Sequence, residues 1–190
     1  MVNGSNPPLG KSGGRLNLDD WFSAGYAILA EEGIKSLKID RLCARLGVTK
    51  GSFYWHFENM PSYRTALVGA WGELRDQDRV SFDALSEITP RERLSAMMNS
   101  LMSPRHWTLE RAMREWARSD GDVAASVRDA DRRLLRAVRQ AYLDFGFAED
   151  EAGLRADVTF ATGIGFLHLA APEAGDQARA ERFLDLMLAR

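Results

Sequence analysis

Apolar residues return at every third or fourth position along nearly the whole chain, and no stretch of four or more residues alternates cleanly enough for a half-buried strand. That periodicity predicts an all-α fold. Asn17 is placed to cap a first helix whose stripe is Leu18, Trp21, Phe22, Gly25, Ile28 and Leu29, with Gly33 ending it in the left-handed geometry that glycine tolerates. A short second helix carries Ile39, Leu42, Cys43 and Leu46 at helical spacing and stops at Gly47. The run TKGSFYWHF, residues 49–57, is a third helix capped by Thr49. Asn59 caps a fourth, with Pro61 in its first turn and a stripe from Tyr63 through Leu67, Ala70 and Trp71 to Leu74, fading near Asp78. Thr89-Pro90-Arg91-Glu92 reads as a capping box that opens a helix carrying Leu94, Met97, Met98, Leu101 and Met102. Further helices are expected near 105–119, 122–145, 149–170 and 176–189.

Apolar residues make up 45% of the 190 and charged residues 27%, enough for one generous domain or two that share an interface. The net charge of -2 is unevenly spread: residues 1–65 carry eight Lys/Arg against six Asp/Glu, which leaves the remainder at -4. A slightly basic head thus sits on an acidic body. The single cysteine, Cys43, excludes an intrachain disulfide and fits a reducing compartment. The opening MVNGSNPPLGKSGG lacks the apolar stretch of a signal peptide, and no run approaches the ~18 apolar residues of a membrane span. The expectation is a cytoplasmic protein with no membrane partner, in which residues 1–15 form a flexible arm.

Two short helices joined through Leu46-Gly47-Val48-Thr49 make a helix-turn-helix, the unit whose second helix enters the major groove of double-stranded DNA. On a helical wheel at about 100° per residue, Phe53 and Phe57 point together, toward Val48 and the second helix. Gly51, Ser52 and Trp55 lie opposite, with Lys50 and Tyr54 on one border and His56 on the other. Leaving such rings wet forfeits the free energy of burying them, so the face reads as a contact surface. Gly51 lets a backbone approach, Ser52 and Lys50 suit base edges, and Tyr54 and His56 suit phosphates or thymine methyls. The bland alternative is that Tyr54 and Trp55 pack beneath the first and fourth helices as core.

Residues 33–67, GIKSLKIDRLCARLGVTKGSFYWHFENMPSYRTAL, resemble the DNA-binding domain of the tetracycline-repressor-like (TetR) family of bacterial transcription regulators. The resemblance rests on Gly33, the pair Leu42-Cys43 where the family usually has an aliphatic residue then alanine, Leu46-Gly47-Val48, the Gly51-Ser52-Phe53-Tyr54 run and His56-Phe57. It implies a three-helix head over 16–62 that contacts DNA through Lys50, Gly51, Ser52, Tyr54, Trp55 and His56, with Tyr54 and His56 at the backbone; Lys38 and Thr49 are added as DNA-binding candidates. It also implies a helical domain over 63–190 for ligand binding and dimerisation. Two positions depart from the pattern. Lys38 stands where the family usually has Thr or Ser, and Met60-Pro61 stands where a phosphate-binding lysine is usual; Lys38, Lys11 and Arg15 are the residues that could compensate.

Methionines and aromatics in the body suit an adaptable apolar pocket for a small effector, or plain core at helical spacing. The pocket candidates are Met98, Met102, Trp107, Trp116, Tyr142 and His168; Trp107, Trp116 and His168 each offer a polar atom on an apolar lining. Small residues among large ones near the end of the chain allow close helix approach, either within the chain or in a four-helix dimer interface as the family builds. Phe160, Gly163, Ile164, Leu167, Phe183, Leu184 and Met187 are the interface candidates. No metal site is expected, since His168, His106 and His56 lack Cys or paired carboxylates at ligand spacing. Nor is a cofactor or a catalytic residue expected, for there is no Gly-x-Ser-x-Gly and no phosphate-cradling glycine loop. Glu149-Asp150-Glu151 is explained by a helix N-terminus, and Arg132, Arg133, Arg136 and Arg139 by a solvated helix face.

The reading is a homodimeric DNA-binding regulator, a repressor released from a pseudo-palindromic operator by an unknown small molecule, and not an enzyme. The alternative is a small-molecule-binding protein on the same scaffold whose DNA binding is weak or lost.

Overall fold

The computed structural model describes residues 16–84, 88–169 and 176–189. Among these the regular structure is helical: α1 (Leu18–Glu32), a 3-10 turn (Ile34–Ser36), α2 (Ile39–Leu46), α3 (Lys50–His56), α4 (Met60–Ala84), α5 (Pro90–Met102), α6 (Pro104–Ala117), α7 (Gly121–Phe145), α8 (Glu149–Phe166) and α9 (Asp176–Leu188). The arm expected over 1–15 lies outside the described residues.

Caps set most of these boundaries. Asn17 accepts from Asp20 N at 2.9 Å while Asp20 accepts from Asn17 N at 3.0 Å, a reciprocal box that satisfies two orphan donors of α1. Asn59 and Ser62 do the same for α4, and Thr89 and Glu92 for α5, with Pro90 at its first position. Gly33 has φ 78° and ψ 174°, so it ends α1 at positive φ but not in the left-handed helical geometry expected of it. Gly47, at φ 68° and ψ 33°, is the left-handed one, and it makes the sharp turn between α2 and α3. The helix α4 runs six residues past its expected end near Asp78, to Ala84.

The head is held by rings and by two tyrosine hydroxyls. Trp21, Phe53 and Tyr63 are wholly buried and Phe57 nearly so, with Phe57 and Tyr63 edge-on at 4.9 Å and Trp21 and Phe53 at 5.6 Å. Tyr63 donates to the Trp21 carbonyl and Tyr26 to the Leu67 carbonyl, each at 2.9 Å, which ties α4 to α1 across some forty residues of chain. Burial pushes both phenols well above their ordinary range, so both remain hydrogen-bond donors. The close α1–α4 approach requires glycine at 25, where a Cβ would lie 2.0 Å from the Tyr63 hydroxyl oxygen.

Arg41 grips Glu32 through Nε and Nη2 at 3.1 and 2.5 Å, and Arg45 grips Glu31 at 2.7 and 2.6 Å. These forks fix the angle between α1 and α2; being exposed, they add little stability.

The apolar core has two centres. One joins the head to Trp71 of α4, Met113 and Trp116 of α6, and Val123, Val127 and Ala130 of α7. The second, in the distal body, gathers Leu94, Met98, Val138, Tyr142, Ala152, Ala156 and Leu184 from α5, α7, α8 and α9. Because the first centre crosses from the head into α6 and α7, movement of α4 or α6 bears directly on the head.

Candidate nucleic-acid interface and body cavity

The short helix α3 divides its residues as the wheel predicts. Phe53 is buried on the inner side, while Tyr54 and Trp55 are 56% and 64% exposed, which decides against their serving as core. Lys38, Thr49, Lys50 and Gly51 are exposed and Ser52 and His56 half-buried, so none of the eight candidates is buried. A Cβ at Gly51 would meet only Thr49 Oγ1 at an ordinary 3.6 Å, so packing inside the chain does not require glycine there. The helix forgoes about 1 kcal/mol of propensity at that position, and what it gains is a gap on the exposed face. Leu16, Gly51, Ser52, Trp55 and His56 line a shallow hollow on this face, with the Trp55 and His56 rings edge-on at 4.7 Å.

Local chemistry departs from expectation at three residues. Thr49 takes the extended N-cap backbone, but its hydroxyl makes no capping bond; the cap is one of conformation alone. Lys38 is the N-cap of α2 and caps nothing, because an ammonium has no lone pair to accept an amide N–H. Lys50 is not a free base reader: its Nζ lies 2.6 Å from Asp40 Oδ1 of α2, and that hydrogen bond, with the carboxylate's charge, raises the lysine pKa.

The body contains a cavity of about 80 Å³ bounded by α4, α5, α6, α7 and α8. Its walls are largely apolar, with Met97, Met98, Leu101, Leu134, Phe160 and Ile164 among them. One end is ionic. Glu110 of α6 is 3% exposed, with Arg75 Nε of α4 at 3.2 Å and Arg114 Nη2 at 3.5 Å; Arg114 also forks onto Asp131 of α7 at 2.9 and 2.6 Å. This chain of two guanidiniums and two carboxylates, buried at Glu110 and partly buried elsewhere, has no signature in the sequence, where charges at helical spacing look like a solvated face. Arg133, assigned to such a face, instead lines the cavity with its Nε buried; Arg132 and Arg136 are exposed, and Arg139 reaches Glu149 at 2.9 Å.

Of the pocket candidates, Met98 lines this cavity. Tyr142 stands just behind the wall, its hydroxyl 2.6 Å from that of the lining residue Thr159. Trp107 and Trp116 are buried away from it, with their indole N–H groups donating to the Phe166 carbonyl at 3.3 Å and to Asp120 at 3.2 Å. Their polar atoms are thereby spent on structure. His168 is exposed beyond the end of α8, and the Met102 side chain lies outside the described residues.

The interface candidates divide similarly. Phe160, Gly163 and Ile164 face the cavity, Leu167 and Leu184 are buried within the chain, and Phe183 and Met187 pack against the distal core. The outward face of α8 is instead Leu154, Val158, Ala161 and Gly165, continued by Leu169, with Leu186 exposed on α9. Leu154, Val158, Ala161 and Gly165 follow a four–three–four spacing, a signal present in the sequence that small-residue counting passed over.

Among the described residues no three His, Cys, Asp or Glu side chains are grouped to hold a metal ion, and no helix is long and apolar enough to cross a membrane. Residues 22–61 match the family model for bacterial regulatory proteins of the tetR family. A search of curated proteins found no match. Among solved structures, a TetR transcriptional regulator from Legionella pneumophila superposes with a TM-score of 0.76 at 10% identity, covering 90% of this chain and 96% of that one. A transcriptional regulator from Rhodococcus sp. Rha1 gives 0.68 at 18% identity, over 91% and 94%, and a TetR-like regulator from Rhodococcus sp. RHA1 gives 0.66 at 14%, over 90% and 92%. At such identities the likeness is one of fold. Residues 22–61 are thus similar to the tetR family of bacterial regulatory proteins, and the fold over nine-tenths of the chain is the one seen in those solved regulators.

Proposed function

We propose that the protein is a dimeric transcription repressor that docks α3 in the major groove of a pseudo-palindromic operator and is released by a small molecule bound in the body cavity. The observation that carries this reading is the division of α3: Phe53 anchors it, while Tyr54 and Trp55 stand exposed beside Gly51, Ser52 and Lys50. Rings left wet on a helix that could have turned them inward are available to a partner, and the open position at Gly51 suits close approach to a DNA backbone. Tyr54 and His56 hold phosphates in this reading, and Lys50 reads a base, guanine being the preferred partner for a lysine.

Dimerisation follows from the same geometry, because one recognition helix reads only a few base pairs and useful affinity takes two half-sites. The exposed stripe of Leu154, Val158, Ala161 and Gly165 is the surface we assign to the second copy. The site of action is the cytoplasm, where such DNA lies. Neither metal nor cofactor takes part, and no catalytic step is assigned.

The test is selection from a random duplex-DNA library at two salt concentrations, followed by sequencing. A two-fold-symmetric motif is expected. No enrichment at either salt, with the protein folded, contradicts the reading and leaves a ligand-binding protein without DNA function.

A further inference from the structure

The ionic end of the cavity restricts what the cavity can take. Oε1 of Glu110 is buried and accepts no hydrogen bond, since Arg75 Nε lies 3.2 Å away without the alignment of one. One turn along α6, Nε of Arg114 is likewise buried and donates to nothing, its terminal nitrogens being committed to Asp131 and Glu110. Both residues line the same cavity. Buried polar atoms without partners are rare and costly in a finished core, and here an unused acceptor and an unused donor stand side by side.

Charge narrows the choice. Arg75, Glu110, Arg114 and Asp131 balance among themselves as two cations and two anions, and Arg133, the other charged residue of the lining, is engaged in an interaction of its own. A cationic head would bring a third positive charge beside Arg75 and Arg114, and a carboxylate a third negative charge beside Glu110 and Asp131, both at low dielectric where the penalty is large. An uncharged head that both donates and accepts satisfies the orphan atoms and adds no charge. Glu110 turns an oxygen toward it by rotation about its soft terminal torsion. Met97, Met98 and Leu101 form the opposite, apolar wall, and methionine yields readily to fill or open space.

We infer that the effector is a small, uncharged molecule with an apolar body and a head that both donates and accepts hydrogen bonds, such as a carboxamide, lactam or alcohol, seated against Glu110 and Arg114. This rests on the reading of the cavity as the effector site.

The experiment uses four probes on one body, benzamide, benzoate, benzylammonium and toluene, each titrated calorimetrically into the full chain. The same titrations are made with an Ala130→Met variant, which fills the cavity, and with the paired variant Arg75→Met/Glu110→Met, which removes one ion pair together and leaves Arg114 on Asp131; circular dichroism checks that each is folded. Benzamide is expected to bind about tenfold more tightly than the other three. It loses that preference in the paired variant and its binding in Ala130→Met. Tighter binding of benzoate or benzylammonium overturns the uncharged head while leaving the cavity as the effector site. An undiminished benzamide preference in the paired variant overturns the role of Glu110. No binding by any probe, or binding unchanged by Ala130→Met, overturns the cavity as the site for this class altogether.

Discussion

Lys50 of α3 is held by Asp40 of α2, Nζ to Oδ1 at 2.6 Å, with both side chains exposed. If α3 docks on DNA as proposed, the pair puts Lys50 under the control of a carboxylate that would itself face phosphates. Docking must therefore trade Asp40 for a base or a phosphate. Asp40→Asn is expected to raise affinity for random duplex DNA, to steepen the salt dependence by roughly one unit per protomer, and to narrow the gap between operator and random DNA. Fluorescence-anisotropy titrations of both duplexes over a salt series measure all three, and an unchanged operator-to-random ratio would refute a guiding role for Asp40.

Arg41, Arg45 and Lys50 are all engaged by the head's own carboxylates, whereas Lys35 and Lys38 have no ion-pair partner among the described residues. On the proposed reading, Lys38, which has no capping duty, is the lysine available to join Tyr54 and His56 in holding phosphates. Lys38→Ala should lower the salt slope of operator binding by about one per protomer, with the sequence preference intact. A selection repeated with the variant checks the second half; a shifted consensus would mean that Lys38 reads bases.

Gly51 and Phe53 should respond in opposite directions. Gly51→Ala fills open space at the 3.6 Å contact and is expected to stabilise α3 by about 0.5–1 kcal/mol, while weakening operator binding by intruding on the backbone approach. Phe53→Ala empties the centre of the head and should cost about 3–5 kcal/mol, losing binding through unfolding. Urea denaturation beside operator titration separates the two; a Gly51→Ala variant that binds DNA as wild type would remove the reason given for glycine at that position.

Val158 sits mid-stripe on the outer face of α8, 41% exposed. Val158→Glu puts a charge where a second copy is assigned, so sedimentation should show monomers with an unchanged helical signal, and operator affinity should fall by an order of magnitude or more because two half-sites are no longer linked. Dimers that survive the substitution would place the interface elsewhere.

The elements legible in the sequence were those whose ends are written in local chemistry. Asn17 with Asp20, Asn59, and Thr89 with Glu92 cap helices where the residue types demand, and Gly47 makes the turn that defines the head. The two faces of α3 were legible because Phe53 and Phe57 leave only one side for the remaining rings. The body was harder, for a physical reason. Periodicity says that a helix has an inner stripe but not which neighbour the stripe meets, so Phe160, Gly163 and Ile164 could equally have faced a second copy or, as they do, a cavity. Glu110 and Arg114 gave no sign of burial, since a charged pair one turn apart is the usual mark of solvent and only the tertiary arrangement of α4, α6 and α7 encloses it. The indole N–H groups of Trp107 and Trp116, polar atoms that a sequence leaves unassigned, find partners within the chain.

Whether the outward face of α3 is the DNA interface is decided by titrating the selected duplex with wild type and with a Tyr54→Ala/Trp55→Ala variant. Both side chains are exposed, so thermal melting should shift by no more than a surface change allows. Operator binding by the variant should weaken roughly 10- to 100-fold at an unchanged melting temperature. Equal operator affinity for the variant and the wild type would contradict it.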